Sequence, residues 1–265
     1  MLWVNERSVP FRAGMRLLDL VDAVKPDADI LVVNGFPMPA ETVLADGDQC
    51  WLIRRGEVPS ADQFDFLLHA RHTPGVHHRV KQAKVGIMGL GGLGSAVALA
   101  LARVGVGSLL LVDFDVVEPT NLNRQHYFFD QIGMLKTDAL RDTLHRINPH
   151  LEVRAIAARL SGESIAGIFG SVDVLVECFD DPAMKAEALR VALTDLKGIA
   201  YVGSSGVAGY GDNNAIRTTR LYPRVYLVGD GESAAAPGQG LMAPRVGIAA
   251  HQQANQVLRL LLDEK

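Results

Sequence analysis

K-V-G-I-M-G-L-G-G-L-G-S, residues 84–95, is the stretch that decides the fold. Val85–Met88 reads as a buried strand, a glycine-rich turn follows, and Leu93–Val104 carries the apolar spacing of a helix. Glycine lets a backbone turn tightly and approach a ligand closely. The helix that follows offers unpaired N–H groups and the positive end of its dipole. Gly89, Gly91, Gly92 and Gly94 are therefore the expected phosphate-facing residues. Taken alone, G-x-G-x-x-G suits nicotinamide, flavin and adenylate nucleotides alike, or simply packs a helix on a strand.

The alternation continues outward from this turn. Leu109–Asp113, Val153–Ala157, Val172–Glu177 and Ala200–Gly203 read as buried strands, and Lys136–Ile147 and Pro182–Leu196 as helices. Such alternation builds a Rossmann-like α/β domain, expected over residues 84–265, with a mainly parallel sheet covered on both faces. Asn214–Val228 is strand-like and expected antiparallel, and Pro244–Leu262 reads as a closing helix with Pro in its first turn.

Residues 1–56 have a different rhythm. Short apolar runs at Leu2–Asn5, Val9–Phe11, Ile30–Val33 and Cys50–Ile53 flank turns at Glu6-Arg7, Asn34-Gly35 and Asp46-Gly47-Asp48, with one amphipathic helix around Leu17–Val21. The order β-β-α-β-β fits a small β-grasp domain. Residues 57–83 read as a helical connector, with apolar spacing at Phe64, Leu67 and Leu68 and a break at Thr73-Pro74-Gly75. His69, His72, His77 and His78 fall here without cysteine or carboxylate partners at metal-ligand spacing, so the segment reads as a solvated linker.

The chain has 265 residues, 48% of them hydrophobic, and a formal net charge of −4. That charge is the wrong sign for a protein that binds nucleic acid through its phosphates. The apolar runs are too short for a bilayer span of roughly 20 residues. The N-terminus lacks the basic start and apolar block of a signal peptide, so a cytoplasmic protein is expected. Two cysteines, Cys50 and Cys178, read as reduced thiols rather than a staple.

The polar residues beyond the glycine turn narrow the ligand. Asp113 ends the second strand, where a carboxylate can accept both ribose hydroxyls, and Asp115 is expected to stabilise the following loop. Asn121-Leu122-Asn123-Arg124-Gln125 then places amides and a guanidinium just past the ribose position. Arg124 can grip phosphate oxygens bidentately, the amides of the run can orient the tail, and Lys136 adds a cation at the mouth of a helix. Glu177-Cys178-Phe179-Asp180-Asp181-Pro182 closes a buried strand, the end at which open α/β sheets bind ligands. Asp180 is the expected Mg²⁺ ligand against the phosphates, and Asp181 the helix cap at the edge of the nucleotide site. Cys178 reads as a small buried residue rather than a nucleophile.

G-L-G-G-L-G-S, L-V-D-F-D, N-L-N-R-Q, G-x-x-K-T, R-I-N-P and C-F-D-D resemble the ThiF/MoeB/HesA family and the adenylation domain of ubiquitin-activating enzymes. G-D-G-E-S at Gly229–Ser233 and G-L-M-A-P-R-V-G-I at Gly240–Ile248 are similar to the short ThiF variant. The resemblance implies ATP with Mg²⁺, phosphates at Gly91 and Gly92, ribose on Asp113, the triphosphate on Asn121, Arg124 and Lys136, and magnesium on Asp180. V-N-E at Val4–Glu6, L-L-D-L at Leu17–Leu20, V-V-N-G at Val32–Gly35 and D-G-D at Asp46–Asp48 resemble ThiS-type ubiquitin-like sulfur carriers. Those carriers end in a free Gly-Gly carboxylate, whereas Arg54-Arg55-Gly56-Glu57 runs on, so this is expected to be a retired carrier domain.

Two departures from the family matter. No C-x-x-C pair is present, so no zinc site is expected, and residues 206–244 hold no cysteine, so sulfur must come from a separate donor. The family also implies a homodimer in which Arg71 reaches the other subunit's phosphates. The segment Gly229–Ala243 is expected to be a mobile loop that closes over an incoming tail. The expected reaction is adenylation of the C-terminal glycine carboxylate of a ThiS-type carrier, and the resemblance places it in thiamine thiazole synthesis. The alternatives are another carboxylate substrate, a nicotinamide-dependent oxidoreductase, and a non-catalytic scaffold.

Overall fold

The computed structural model folds as two units, Met1–Arg79 and Val80–Lys265. It describes every residue except 6, 61, 62, 65, 66, 68, 69, 71, 73, 74, 264 and 265. The expected roles of Arg71, Leu68 and His69 therefore lie outside the described residues.

The first unit contains β1 (Leu2–Val4), β2 (Arg7–Val9), α1 (Leu17–Val24), β3 (Ile30–Val33), β4 (Phe36–Pro37) and β5 (Gln49–Ile53). The sheet runs β2-β1-β5-β3-β4, with β1 and β5 parallel in the centre. Leu17, Leu20 and Val21 on one face of α1 pack against Leu2, Val4, Cys50 and Leu52. This is the expected β-grasp with one addition. Asn34 (φ 50°) and Gly35 (φ 92°) turn the chain so that the two-residue β4 pairs back on β3. Pro37 had hidden that strand, because proline is confined to edges. On the other face of the sheet Val32 and Trp51 pack with Leu67 and Ala70. Past Gly56 the chain stays on its own unit, with Glu57 paired to Lys25 at 2.6 Å.

α2 (Val76–Gln82) crosses from the first unit to the second. The second unit then runs β6 (Lys84–Met88), α3 (Gly92–Arg103), β7 (Ser108–Asp113), α4 (Lys136–Ile147), β8 (Glu152–Ala157), α5 (Gly162–Phe169), β9 (Val174–Glu177), α6 (Pro182–Thr194), β10 (Ala200–Ser204), β11 (Arg217–Tyr222), β12 (Val225–Gly229) and α7 (Ala243–Leu261). The seven strands are ordered β11-β12-β10-β9-β6-β7-β8. All neighbours are parallel except β11 with β12.

Three expectations change here. β8 is not a buried strand: it forms the sheet edge and is half open to solvent, as its Glu152 and Arg154 require. The antiparallel segment splits at a turn through Arg224 (φ 64°), and only β11 is antiparallel, since β12 returns parallel to β10. α5 was not expected, because Gly162 and Gly167 dilute its helical signal. Its start is fixed by a reciprocal cap in which Ser161 Oγ accepts the Ser164 amide and Ser164 Oγ accepts the Ser161 amide.

The topology positions the site. From β6 the chain moves outward to β7 and β8, then returns to place β9 on the other side of β6 and moves to β10. The crevice where strand order reverses lies above the C-terminal ends of β6 and β9. α7 closes it: the buried Gln253 donates to the Glu177 carbonyl at 3.0 Å and accepts from the Cys178 thiol at 3.8 Å. No helix among the described residues is long and apolar enough to cross a membrane.

Candidate functional site

A cavity of about 640 Å³ opens above those strand ends, within the size range of nucleotide and cofactor pockets. Its floor is the glycine turn. Gly89 takes φ +84°, a conformation that only glycine adopts easily, and a side chain there would press on the Cys178 carbonyl at 3.0 Å. Gly91 is the N-cap of α3, and no side chain caps that end. The amides of the first helical turn are thus left for an anion.

Asp113 is 9% exposed and held by backbone: Oδ2 accepts the Leu90 amide at 2.6 Å and Oδ1 accepts the Asp115 amide at 2.8 Å. Each oxygen keeps a second lone pair for a sugar hydroxyl. Tyr127 buttresses the same turn by donating to the Leu90 carbonyl at 2.7 Å. Burial, with the Asp113 and Asp115 carboxylates, pushes its phenol well above the usual range, so it stays a neutral donor.

Arg124 lines the cavity and is steadied by the Thr120 carbonyl (3.2 Å) and the Asn123 side-chain oxygen (2.9 Å). Lys136 lines it too, with its ammonium 2.9 Å from Asp115 Oδ2. Asp115 thus does more than shape its loop. Asp180 and Asp181 stand at the rim. Asp181 is the N-cap of α6, accepting the Ala183 amide at 2.8 Å, while Asp180 is exposed and forms no hydrogen bond or ion pair with the described residues. A hard, solvated carboxylate beside a phosphate cradle is a donor set that suits Mg²⁺.

Two expected ligand residues do not line the cavity. Asn121 is buried, and its side chain accepts the Glu118 amide at 3.1 Å. Its carbonyl accepts the Arg124 and Gln125 amides at 3.1 and 2.9 Å. It orders the turn that aims those two residues. Gly94 points away, with the carbonyl of Gly89 only 1.9 Å from where a side-chain carbon would sit. It is the packing glycine that lets α3 lie against β6.

The structure adds residues that the motifs did not single out. Gln125 lines the cavity 8% exposed, and its Oε1 is buried with no partner among the described residues. Lys185, one turn into α6, reaches into the cavity and bonds Glu177 Oε1 (2.8 Å), Ser204 Oγ (2.8 Å) and the Ser204 carbonyl (3.1 Å). Glu177 is buried and also accepts the Phe179 amide at 2.7 Å, so the ends of β9 and β10 are tied together. Arg159 stacks over the Phe114 ring at 3.9 Å on the opposite wall. Gln125 was one of the N-L-N-R-Q amides expected to orient the tail but was not singled out among them; Lys185 and Arg159 had no motif to mark them. Cys178 is buried, and desolvation, reinforced by Glu177 and offset by Lys185, pushes its thiol far up. It is a neutral wall residue, not a thiolate nucleophile.

The ThiF family profile matches residues 68–265, about three quarters of the chain. The chain belongs to the ThiF family. A ThiS-like ubiquitin profile matches residues 1–56. Among the relatives, the molybdopterin-synthase adenylyltransferase of Escherichia coli is 34% identical over 190 residues, covering 69% of this chain and 74% of the relative. An adenylyltransferase and sulfurtransferase of Candida glabrata is 30% identical over 190 residues, covering 69% of this chain and 43% of the relative. Among solved structures, the tRNA N6-threonylcarbamoyladenosine dehydratase of E. coli in complex with ATP superposes with a TM-score of 0.70 at 21% identity, covering 78% of this chain and 98% of that one. That likeness speaks for the fold. As a ThiF-family member, the protein is an adenylyltransferase, an enzyme that joins a carboxylate to AMP and releases pyrophosphate.

Proposed function

We propose that this enzyme uses ATP and Mg²⁺ to adenylate the C-terminal glycine carboxylate of a separate ubiquitin-like sulfur carrier of the ThiS type. The observation that supports the reading is the meeting, in one cavity, of an uncapped helix N-terminus at Gly91 with the Arg124 and Lys136 cations and the carboxylate of Asp180. A nicotinamide site has no use for that charge set, but a triphosphate does.

In this reading the α3 amides and Gln125 cradle phosphate, Asp113 receives the ribose hydroxyls, and Arg124 and Lys136 hold the β- and γ-phosphates. Asp180 would hold Mg²⁺, which would supply positive charge to neutralise the leaving pyrophosphate. The carrier carboxylate attacks the α-phosphorus, its oxygen forms the new bond to phosphorus, and the bond to the β-phosphate oxygen breaks. The nucleophile arrives with the substrate, so the protein needs no catalytic base. Its contribution is positioning and charge stabilisation.

The ThiS-like ubiquitin match over residues 1–56 supports a carrier of that fold, and thiamine thiazole synthesis is the pathway proposed for it from the family resemblance. The relative named for molybdopterin synthase favours a carrier of that branch. ATP–pyrophosphate exchange separates the two, with each candidate carrier ending in Gly-Gly added in turn. Exchange with the ThiS-type carrier alone supports the first, and exchange with the molybdopterin-type carrier alone replaces it. Arg124→Ala and Asp180→Ala should each abolish exchange while leaving the fold intact; exchange retained in both variants refutes these roles. Family resemblance further supports a homodimer served by a separate sulfur donor.

A further inference from the structure

Arg245 is an anomaly at the start of α7. It is 5% exposed and sits in the first turn of a helix, where the dipole disfavours a cation. A buried ion pair is also poor value for stability compared with apolar packing. Its geometry gives it another use. Nη2 donates to Asp230 Oδ2 at 2.6 Å, and Nη1 donates to the carbonyls of Gly211 and Asp212, each at 3.0 Å. The other carboxylate oxygen of Asp230 accepts the Glu232 and Ser233 amides at 2.9 and 2.8 Å. Backbone bonds from Asp230 to Gly206 (2.9 Å) and from Gly231 to Ser205 (3.0 Å) complete the knot. Gly206 fits against it only because it lacks a side chain, since a Cβ would fall 2.0 Å from Asp230 Oδ1.

One ion pair therefore fastens three segments: the chain leaving β10, the chain leaving β12, and the start of α7. Those segments line the cavity through Ser205, Gly206, Ala208 and Ser233–Ala235, with the larger Val207, Leu241 and Val246 beside them. Most of these side chains are small. A wall built mostly of small residues leaves a slot with room for an extended glycine-rich backbone.

We propose that Arg245 and Asp230 are a positioning pair that sets this slot for the carrier's C-terminal tail; the inference rests on the carrier reading above. Neither residue touches nucleotide in this reading, so the pair governs how the carboxylate is presented rather than how ATP is held.

The test uses the full-length enzyme and its variants Arg245→Met, Arg245→Lys and Asp230→Asn. Pyrophosphate exchange is measured as a function of carrier and of ATP, nucleotide affinity is measured separately by calorimetry without carrier, and folding is checked by circular dichroism. Arg245→Met should raise the carrier KM about tenfold or more while ATP affinity stays within about twofold. Arg245→Lys keeps a cation for Asp230 but cannot hold both carbonyls, so it should recover part of the loss. Asp230→Asn removes the charge and sets an NH2 donor against either Arg245 or the Glu232 and Ser233 amides, so it should cost about as much as Arg245→Met. An unchanged carrier KM in Arg245→Met, or ATP affinity falling in step with it, overturns the proposal. A wild-type enzyme that supports no exchange with any carrier removes the carrier reading itself, and this inference with it.

Discussion

The Lys136 ammonium lies 2.9 Å from the Asp115 carboxylate, and only 7% of the lysine side chain is exposed against 47% of its partner. The asymmetry says which residue depends on the other. A half-solvated carboxylate survives alone, but a lysine at the mouth of α4 with almost no water needs a counter-charge at all times. Asp115 supplies it when no phosphate is present, and the proposed triphosphate would share or replace it.

Asp115→Asn should therefore destabilise the ligand-free protein by about 1–2 kcal/mol, less than a fully buried pair because Asp115 is partly solvated. Saturating ATP with Mg²⁺ should raise the melting temperature of the variant by more than it raises that of the wild type, since phosphate oxygens then replace the lost carboxylate. Thermal melts with and without nucleotide read this directly. Equal shifts in the two proteins would mean that Lys136 does not meet phosphate.

The glycines of the turn should separate into two behaviours. In Gly94→Ala the new carbon would lie 1.9 Å from the Gly89 carbonyl oxygen, a clash with backbone that no rotamer relieves. That variant should lose about 3 kcal/mol or more, or fail to fold. In Gly91→Ala the nearest atom is the Gln125 side-chain nitrogen at 3.8 Å, and φ is an ordinary −72°. It should fold like the wild type but hold ATP more weakly, because the methyl group stands where a phosphate would approach. Melting temperature and nucleotide titration distinguish the two, and a Gly91→Ala protein with normal ATP affinity would remove Gly91 from the site.

How much of this was legible in the sequence follows from where each signal is stored. Strands β6, β7 and β10 and helices α3, α4 and α7 were readable because apolar periodicity and glycine punctuation are local. β8 was misjudged as buried because its Val153, Ala155 and Ile156 were weighed over Glu152 and Arg154, whose charges suit the sheet edge. The site residues that belong to contiguous motifs, Gly89, Gly91, Asp113, Arg124, Lys136 and Asp180, do meet in one cavity. Asn121 does not line that cavity, for a physical reason: its side-chain oxygen accepts the Glu118 amide in the turn. Lys185 and Arg159 had no motif to mark them, and Asp230 and Arg245 stood in two separate motifs whose pairing was not legible, because each acts with partners from distant segments, Lys185 with Glu177 and Ser204, Arg245 with Gly211, Asp212 and Asp230.

Both thiols should be inert in the native protein. Burial, with Asp48 adding to it, pushes the Cys50 thiol up to about 12, and Cys178 is pushed further in the same direction. At pH 8 neither forms appreciable thiolate, so alkylation should proceed only after unfolding. Cys178→Ala should keep pyrophosphate exchange within a few-fold of wild type despite its place in the cavity wall. Rapid native labelling together with loss of exchange in that variant would reinstate a cysteine step.

The last prediction concerns acid. Burial opposes the charge on Asp230, but hydrogen bonds outweigh it, led by the Ser233 and Glu232 amides and joined by Arg245, and the carboxyl is held down at about 2 instead of 3.8. A carboxyl depressed in the folded state stabilises the fold wherever the unfolded chain would also be ionised, that is, above about pH 4. The contribution disappears as pH falls from about 4 toward 2, through the folded value, because the proton then binds the unfolded chain first. After discount for solvent screening the size is about 1–2 kcal/mol. Asp230→Asn should lower stability at pH 7 by about that amount or more, with Arg245 left unpaired, and the difference from wild type should shrink as pH falls from 4 to 2. Denaturant melts at pH 7, 4 and 3 measure the gap; a gap that stays constant across those pH values would show that Asp230 titrates normally and that Arg245 is held by the Gly211 and Asp212 carbonyls alone.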